Sequence, residues 1–359
     1  MTGDSEEARP GLRLLAFAYF ALFAVLVLGG IAVALLGDPR AADPVVRFTL
    51  SEPPASLATT PLHPADTAPA GTKPGEVVPP PAIVPSQITQ PVYAGRALVA
   101  DPALIENTEG GPLPRIAADG TPPQRAYAGA TLDNGHPRIA IVISGLGISA
   151  KATADALAKL PPQVTLAFAP YAQDVQRWVA EARREGHEVL LEVPMEPYDF
   201  PDSDPGPHTL RSGVGEDANT ERLVWSLTRF TGYAGVTNLL GGRLMSDPDS
   251  LEPVMTYLSR RGLLFYDNGT ASHSAAPEVA ARSGVSFAQA NATIDTIQTA
   301  MEIDRELSEL ENAARTRGVA SGAGFIYPVT IERVGQWAQG LTGRGFVLVP
   351  ASAIVLPKK

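Results

Sequence analysis

The segment Arg138–Gly147, RIAIVISGLG, constrains this chain most. Ile139 to Ile143 is an apolar, β-branched run that reads as a buried strand. Ser144-Gly145-Leu146-Gly147 then reads as a tight turn, and a helical pattern starts near Ser149. A strand, a glycine turn and a helix make the opening unit of an α/β domain. In such folds the chemistry collects at the carboxyl ends of the strands. This strand end offers a hydroxyl and a glycine, with no acid and no histidine, and that absence shapes the functional reading.

Composition divides the 359 residues into zones. A short tail, 1–13, precedes residues 14–36, which carry no charge and are dominated by Leu, Ala, Val and Phe. At ~1.5 Å per residue that stretch spans a hydrocarbon core of ~30 Å. Ala32-Val33-Ala34 looks like a cleavage site, but signal-peptide cores run only ~7–15 residues. The stretch therefore reads as an uncleaved transmembrane anchor. Arg9 and Arg13 lie before it and Arg40 and Arg47 after it, so charge barely orients it. A short tail is easily left inside, which places the large remainder in the periplasm of a bacterium, tethered to the inner membrane. Residues 37–89, rich in Pro, Ala, Thr and Ser, read as a disordered linker. Residues 90–135 read as an extended arm packed on the domain, with more linker as the alternative, and 136–359 as the globular domain.

The chain has no cysteine, which removes thiolate catalysis and cysteine metal sites. Its net charge is −10 and it has no basic cluster, which excludes nucleic acid as a partner. His63, His136, His187, His208 and His273 show no metal-ligand spacing, and each reads as a surface or turn histidine.

Strand candidates after His136 are 139–144, 164–168, 188–193, 235–239, 263–267, 285–288, 319–322 and 346–349. Helix candidates between them are 149–160, 174–185, 220–231, 249–260, 277–283, 294–317 and 330–341. Ile294, Ile297, Met301, Ile303, Leu307, Leu310 and Ala314 form one helical stripe. Glu185-Gly186, Arg261-Gly262 and Arg317-Gly318 read as helix stops. The alternation predicts an α/β fold with a parallel sheet, closed or nearly closed into a barrel. An open doubly wound sheet is the alternative.

The blocks IAIVISGLG, TLAFAPYA, GHEVLLEVPMEP, GPHTL, GVTNLLGGR and GLLFYDNGT resemble, in order and spacing, the divergent polysaccharide deacetylase family. The resemblance covers about Arg138 to Val355. It implies a NodB-like distorted (β/α)7 barrel acting on cell-envelope glycan or another polysaccharide. Deacetylases of the wider superfamily use an Asp base and an Asp-His-His metal site. The chain departs from that pattern at each such position. Ser144-Gly145 stands where the family has Asp-Asp, and Glu192 where it has His. Asn238-Leu239-Leu240-Gly241 replaces an Asn-His-Met-Gly block, and Gly324-Phe325-Ile326 a Gly-His-Pro block. Asn238, Asp267 and Asp295 match. Two isolated carboxylates and an amide are a poor cage for zinc, so the expectation is no metal and no cofactor.

Glu192 and Glu196 flank one strand end and Asp267 ends another. Carboxylates so placed can work as acid and base on a glycosidic bond. The structural alternative has Glu196 capping a loop and Glu192 paired with Arg243 or Arg211. Ser144, Tyr171, Asn238, Arg243 and Asp295 are candidate substrate contacts. Ser144 lacks a nucleophile elbow. Of Tyr171, Trp178, Trp225, Tyr233 and Trp337, Tyr171 is the best sugar platform; Trp178 and Trp225 sit on amphipathic helices and read as core. Three readings follow: a glycan binder that has lost its metal centre, a metal-independent carbohydrate hydrolase, and a structural envelope scaffold.

Overall fold

The computed structural model describes residues 100–131 and 135–355. The anchor read at 14–36 and the linker at 37–89 lie outside them. Among the described residues no helix is long and apolar enough to cross a membrane.

The described chain opens with an antiparallel hairpin, β1 (Ile105–Thr108) and β2 (Gly111–Pro114), and a short helix, α1 (Pro123–Ala126). The alternating domain follows: β3 (Arg138–Leu146), α2 (Ala150–Lys159), β4 (Thr165–Phe168), α3 (Val175–Arg184) and β5 (Val189–Met195). Next come α4 (Glu216–Leu227), β6 (Gly235–Leu240), α5 (Gly242–Met245), α6 (Pro248–Arg260), β7 (Leu264–Asp267), α7 (Ala276–Ser283) and β8 (Ser286–Gln289). The last part holds β9 (Ala292–Thr293), α8 (Ala300–Arg317), β10 (Val319–Phe325), α9 (Pro328–Gln339) and β11 (Val347–Val349).

All pairings in the large sheet are parallel, in the order β8-β7-β6-β5-β4-β3-β10-β9. The two ends of that order, β8 and β9, are separated in the chain by only Ala290 and Asn291. Ala290 N–H donates to Asp267 O at 2.8 Å and Asn291 N–H to Ser321 O at 2.7 Å. One stretch of chain thus changes partner from β7 to β10, and the parallel sheet curves into a half-barrel consistent with a (β/α) barrel. β11 pairs with β3 at Arg138–Ala140, below the point where β4 takes over. A register shift between Ile143 and Leu146 bends the end of β3.

Strand alternation sorts the core. Ile139, Ile141, Ile143, Leu166, Val189 and Leu191 face the helices, each side chain contributing about 1.5–3 kcal/mol by its burial. Ala140, Val142, Ala167, Leu190, Leu264, Tyr266, Ala288 and Ala323 form a second cluster on the other face, toward the barrel axis. Small residues leave a narrow interior, and Tyr266 fills it: its hydroxyl reaches Ser321 Oγ at 2.7 Å and Gly322 O at 3.3 Å.

Ser149, Asp247 and Thr299 cap α2, α6 and α8 with their side chains. The three expected stops are in place, with Gly186, Gly262 and Gly318 at φ +93°, +69° and +79°. The expected helix at 294–317 is shorter. It starts at Ala300, because Ile294 N–H donates to Ala323 O at 2.8 Å and Thr299 supplies the cap. Ile297 and Met301 therefore leave the predicted apolar stripe and are exposed. In the other direction, α4 begins at Glu216 rather than Thr220.

Candidate functional site

The carboxyl ends of the strands form one end of the barrel, and parity along each strand decides which side chains meet there. Glu192 on β5 pairs in register with Thr237 on β6, and Thr237 with Tyr266 on β7. In-register partners on parallel strands point to the same face, so these three form one row toward the axis. Asn238 and Asp267 are each one residue further on and turn the other way. Candidate groups on neighbouring strand ends are thus separated by a single residue of parity.

Glu192 is fully buried. One oxygen, Oε1, accepts from Gly145 N–H at 2.5 Å. The other, Oε2, has no hydrogen-bond partner, and neither does the buried Thr237 Oγ1 beside it. Loss of solvent pushes the Glu192 carboxyl up to about 7, against the opposing hydrogen bonds from Gly145 and Ser144. Gly145 has φ +86°, and a Cβ there would lie 2.4 Å from the Phe325 ring. The Phe325 ring therefore lies against the glycine that holds Glu192. Asp295 secures that residue in turn: its Oδ2 accepts from Phe325 N–H at 2.7 Å and from Thr330 Oγ1 at 2.8 Å. Burial raises the Asp295 pKa, and these two hydrogen bonds oppose the rise.

The other candidates serve separate neighbourhoods. Asp267 Oδ1 accepts from Gly269 N–H, and its Oδ2 from Ser274 Oγ and Gln289 Nε2, at 2.8–2.9 Å. Asn238 exchanges hydrogen bonds with Asn268 and donates to Leu240 O at 2.7 Å. Leu240 is one of two non-glycine residues at positive φ among those described, at +58°. Glu196 Oε2 accepts from Ser212 N–H at 2.7 Å, and Oε1 lies 3.7 Å from Arg243. Glu196 thus fastens a loop. The arginine partner expected for Glu192 is absent: Arg243 meets Glu196, and Arg211 lies over the Phe200 ring. Ser144 is half-buried, its carbonyl accepting from Ile326 N–H at 3.0 Å.

Tyr171 is exposed at a strand end, and its hydroxyl accepts from His208 N–H. Tyr233 is buried and donates to Leu227 O. Trp337 donates to Glu311, away from the strand ends. Trp178 is buried as expected; Trp225 is only half-buried, with His208 stacked on it at 3.7 Å and Arg229 at 4.6 Å. His187 corrects the surface assignment. It is buried, its ring Nδ1 is 2.8 Å from Val164 O, and burial lowers its pKa, because Arg183 and the β4 entry close over it.

These residues do not fit a divalent cation. The row that faces the axis offers one carboxyl already bound to Gly145, a threonine and a tyrosine. Among the described residues no three His, Cys, Asp or Glu side chains stand close enough to share a metal ion. Thr237, Tyr266 and Phe325 define the site as much as Glu192 does, and none stands out in the sequence. Only the register that links Glu192 to Thr237 and Tyr266 would have marked the first two.

A family model described as divergent polysaccharide deacetylase matches residues 141–355. The crystal structure of an uncharacterized protein from Agrobacterium tumefaciens C58 is 40% identical, with a TM-score of 0.67, over 68% of this chain and 100% of that one. The uncharacterized protein YibQ of Escherichia coli (strain K12) is 27% identical over 219 residues, 61% of this chain and 67% of YibQ. An uncharacterized protein of Haemophilus influenzae is 26% identical over 194 residues, 54% of this chain and 68% of its own length.

Proposed function

Because the chain belongs to the divergent polysaccharide deacetylase family, we propose that it is a cell-envelope glycan-binding protein that works without a metal centre. Residues 14–36 would hold it in the inner membrane, with the barrel in the periplasm at the end of the 37–89 linker. The observation that carries the reading is Glu192: a single buried carboxyl fastened to Gly145, with the Phe325 ring against that glycine. Deacetylation through a metal-activated water needs several donors around one ion. Here the corresponding positions supply Ser144, Gly145, Glu192, Leu239 and Phe325, of which only Glu192 is a carboxylate.

The test has two arms. Elemental analysis of the full chain is expected to find well below one equivalent of zinc, and the chain is expected to sediment with insoluble peptidoglycan. A stoichiometric ion, or acetate release that chelation abolishes, would overturn the loss of the metal centre. Failure to sediment with peptidoglycan would leave only the scaffold reading.

The raised pKa of Glu192 favours a second reading, a hydrolase that uses it as general acid near neutral pH. A glycosidase needs a second carboxylate facing the same bond. Glu196 and Asp267 are instead held by Ser212 and Arg243, and by Gly269, Ser274 and Gln289. Release of reducing ends from peptidoglycan, abolished by Glu192→Gln, would establish this reading over the first.

A further inference from the structure

The structure assigns an interaction surface to the opposite end of the barrel: its base, where the strands begin, seats on an anionic phospholipid bilayer. This makes no use of the glycan site and takes from the proposed function only the anchor at 14–36. In a fold of βα units the helices run back toward the base, so their carboxyl ends gather where the next strands start. Lys159 closes α2, Arg184 closes α3, Arg260 closes α6 and Arg317 closes α8. All four are exposed and make no ion pair among the described residues. They lie far apart in the chain, so no basic run shows in the sequence; the fold collects them on one face.

A cation at a helix carboxyl end complements the helix dipole, which accounts for those four but not for what surrounds them. First, the arm adds Arg115, outside any helix, and Arg125 on the short α1, both exposed and without a carboxylate partner among the described residues. The arm is fastened to this face: Gln124 N–H donates to Gly262 O at 3.1 Å, two residues past Arg260. Asp101, Asp119 and Glu185 offset part of the positive charge, and Glu106 is already paired with Arg261. Second, Ile116 stands among these cations at 41% exposure. It lies on the turn after α6, where a Cβ on Gly262 would come 2.9 Å from Ile116 Cγ1. Third, the chain that precedes Ala100 reaches the domain at this face. Asp101 N–H donates to the Tyr127 hydroxyl at 2.9 Å, and Leu104 packs with Tyr127 and with Ala234, the residue before β6.

The charge pattern selects the partner. At the other end of the barrel, Glu216, Asp217, Asp249 and Glu302 stand in the first turns of α4, α6 and α8. A chain of net charge −10 thus keeps its free cations at the base and carboxylates at the mouth. An anionic surface attracts the first and repels the second, so it orients the domain as well as binding it. An exposed isoleucine ringed by arginines suits a lipid interface better than a soluble polyanion, since the apolar group gains by entering the headgroup layer. Seated this way, the carboxyl ends of the strands face away from the lipid.

The chain has no cysteine, so Ala118→Cys at the base and Gln173→Cys after β4 each give a single labelling site. The test is energy transfer from a fluorophore at either site to an acceptor lipid. The full chain is reconstituted into vesicles of phosphatidylcholine alone or with about a third phosphatidylglycerol. In the anionic vesicles the base probe is expected to transfer several-fold more than the Gln173 probe, and several-fold more than in neutral vesicles. Salt at ~0.5 M, which shortens screening to a few ångström, is expected to remove the difference. Each cation is worth about fivefold at such a surface. Arg125→Gln with Arg260→Gln is therefore expected to bring the base probe to its neutral-vesicle reading with circular dichroism unchanged. Equal transfer in the two kinds of vesicle, or an unchanged reading in the double variant, overturns the seat and leaves the anchor standing. Greater transfer from the Gln173 probe overturns it by turning the mouth to the lipid. Release of the base by soluble polyphosphate of matched charge overturns it in favour of a soluble polyanion. A chain that sediments with anionic vesicles but not with neutral ones supports the seat and removes the anchor; one that sediments with neither removes both.

Discussion

Glu188 and Glu192 lie four residues apart, just before β5 and in its middle, both fully buried, and the protein treats them in opposite ways. Glu188, at the amino-terminal end of the barrel, accepts from Thr165 Oγ1 and Ser352 N–H on one oxygen and from Gly129 N–H on the other, at 3.0–3.1 Å. Those partners come from β4, from the segment before β3 and from the turn after β11, so one carboxylate knits three separate segments together. Glu192, toward the carboxyl-terminal end, is met by Gly145 and Ser144 and keeps one bare oxygen. Most exposed large apolar side chains lie at or past strand ends: Ile148, Tyr171, Tyr198 and Ile297 follow strands, Leu240 ends β6 and Met301 opens α8, with Ile116 exposed in the arm. One end of the barrel is finished for stability; the other keeps an unsatisfied group and exposed apolar surface, the signature of an end that meets a ligand.

The sharpest way to break the comparison is at Gly145. Gly145→Ala places a side chain at φ +86° and drives it into the Phe325 ring. It is expected to cost about 4 kcal/mol in denaturant unfolding, from strain and overpacking together. A loss below about 1 kcal/mol would mean that Phe325 moves aside freely and the centre is open.

The two glutamates give the next effect. The folded-state pKa of Glu192, about 7, lies above its ordinary 4.5. Its stabilising contribution is therefore complete below about pH 4.5 and is lost as pH rises through about 7. The difference amounts to about 3 kcal/mol. Glu192→Gln, neutral throughout, is expected to be the more stable protein at pH 8 by up to that amount and to match the parent near pH 4.5. Glu188→Gln is expected to lose about 3 kcal/mol, because an amide hydrogen then faces a donor. Two variants with the same sign at pH 8 would erase the contrast.

Smaller effects sharpen the picture. Asp295→Ala removes two hydrogen bonds that hold the Phe325 backbone and Thr330, and about 2 kcal/mol is expected in thermal or urea unfolding. Arg243→Ala breaks only a long contact from a half-exposed guanidinium to Glu196, and less than about 0.5 kcal/mol is expected.

The strand–glycine–helix opening at Arg138–Gly147, the later strands and the three glycine stops were legible because each is a local pattern of period and punctuation. The hairpin of β1 and β2, built on Pro and Gly rather than on alternation, was not. Neither was the true start of α8: the stripe from Ile294 is helical in spacing, but a backbone bond to Ala323, about thirty residues on, removes its first turn. The candidate site shows the same limit. Glu192, Asn238 and Asp267 could all be placed at strand ends from the sequence. Whether they face one another depends on the register of β5 to β7, a non-local property, and there Asn238 and Asp267 fall on the opposite parity from Glu192. The Phe325 ring against Gly145 joins the ends of β3 and β10 and was equally out of reach.

Carbon-13 NMR of the Glu192 side-chain carboxyl, titrated from pH 4 to pH 9, tests the central claim most directly. A buried carboxyl with one bare oxygen and no ion beside it is expected to titrate with a midpoint near pH 7. A carbon that titrates near 4.5, or that stays in the ionised form across the whole range, would contradict the account by placing solvent or a bound cation against that oxygen.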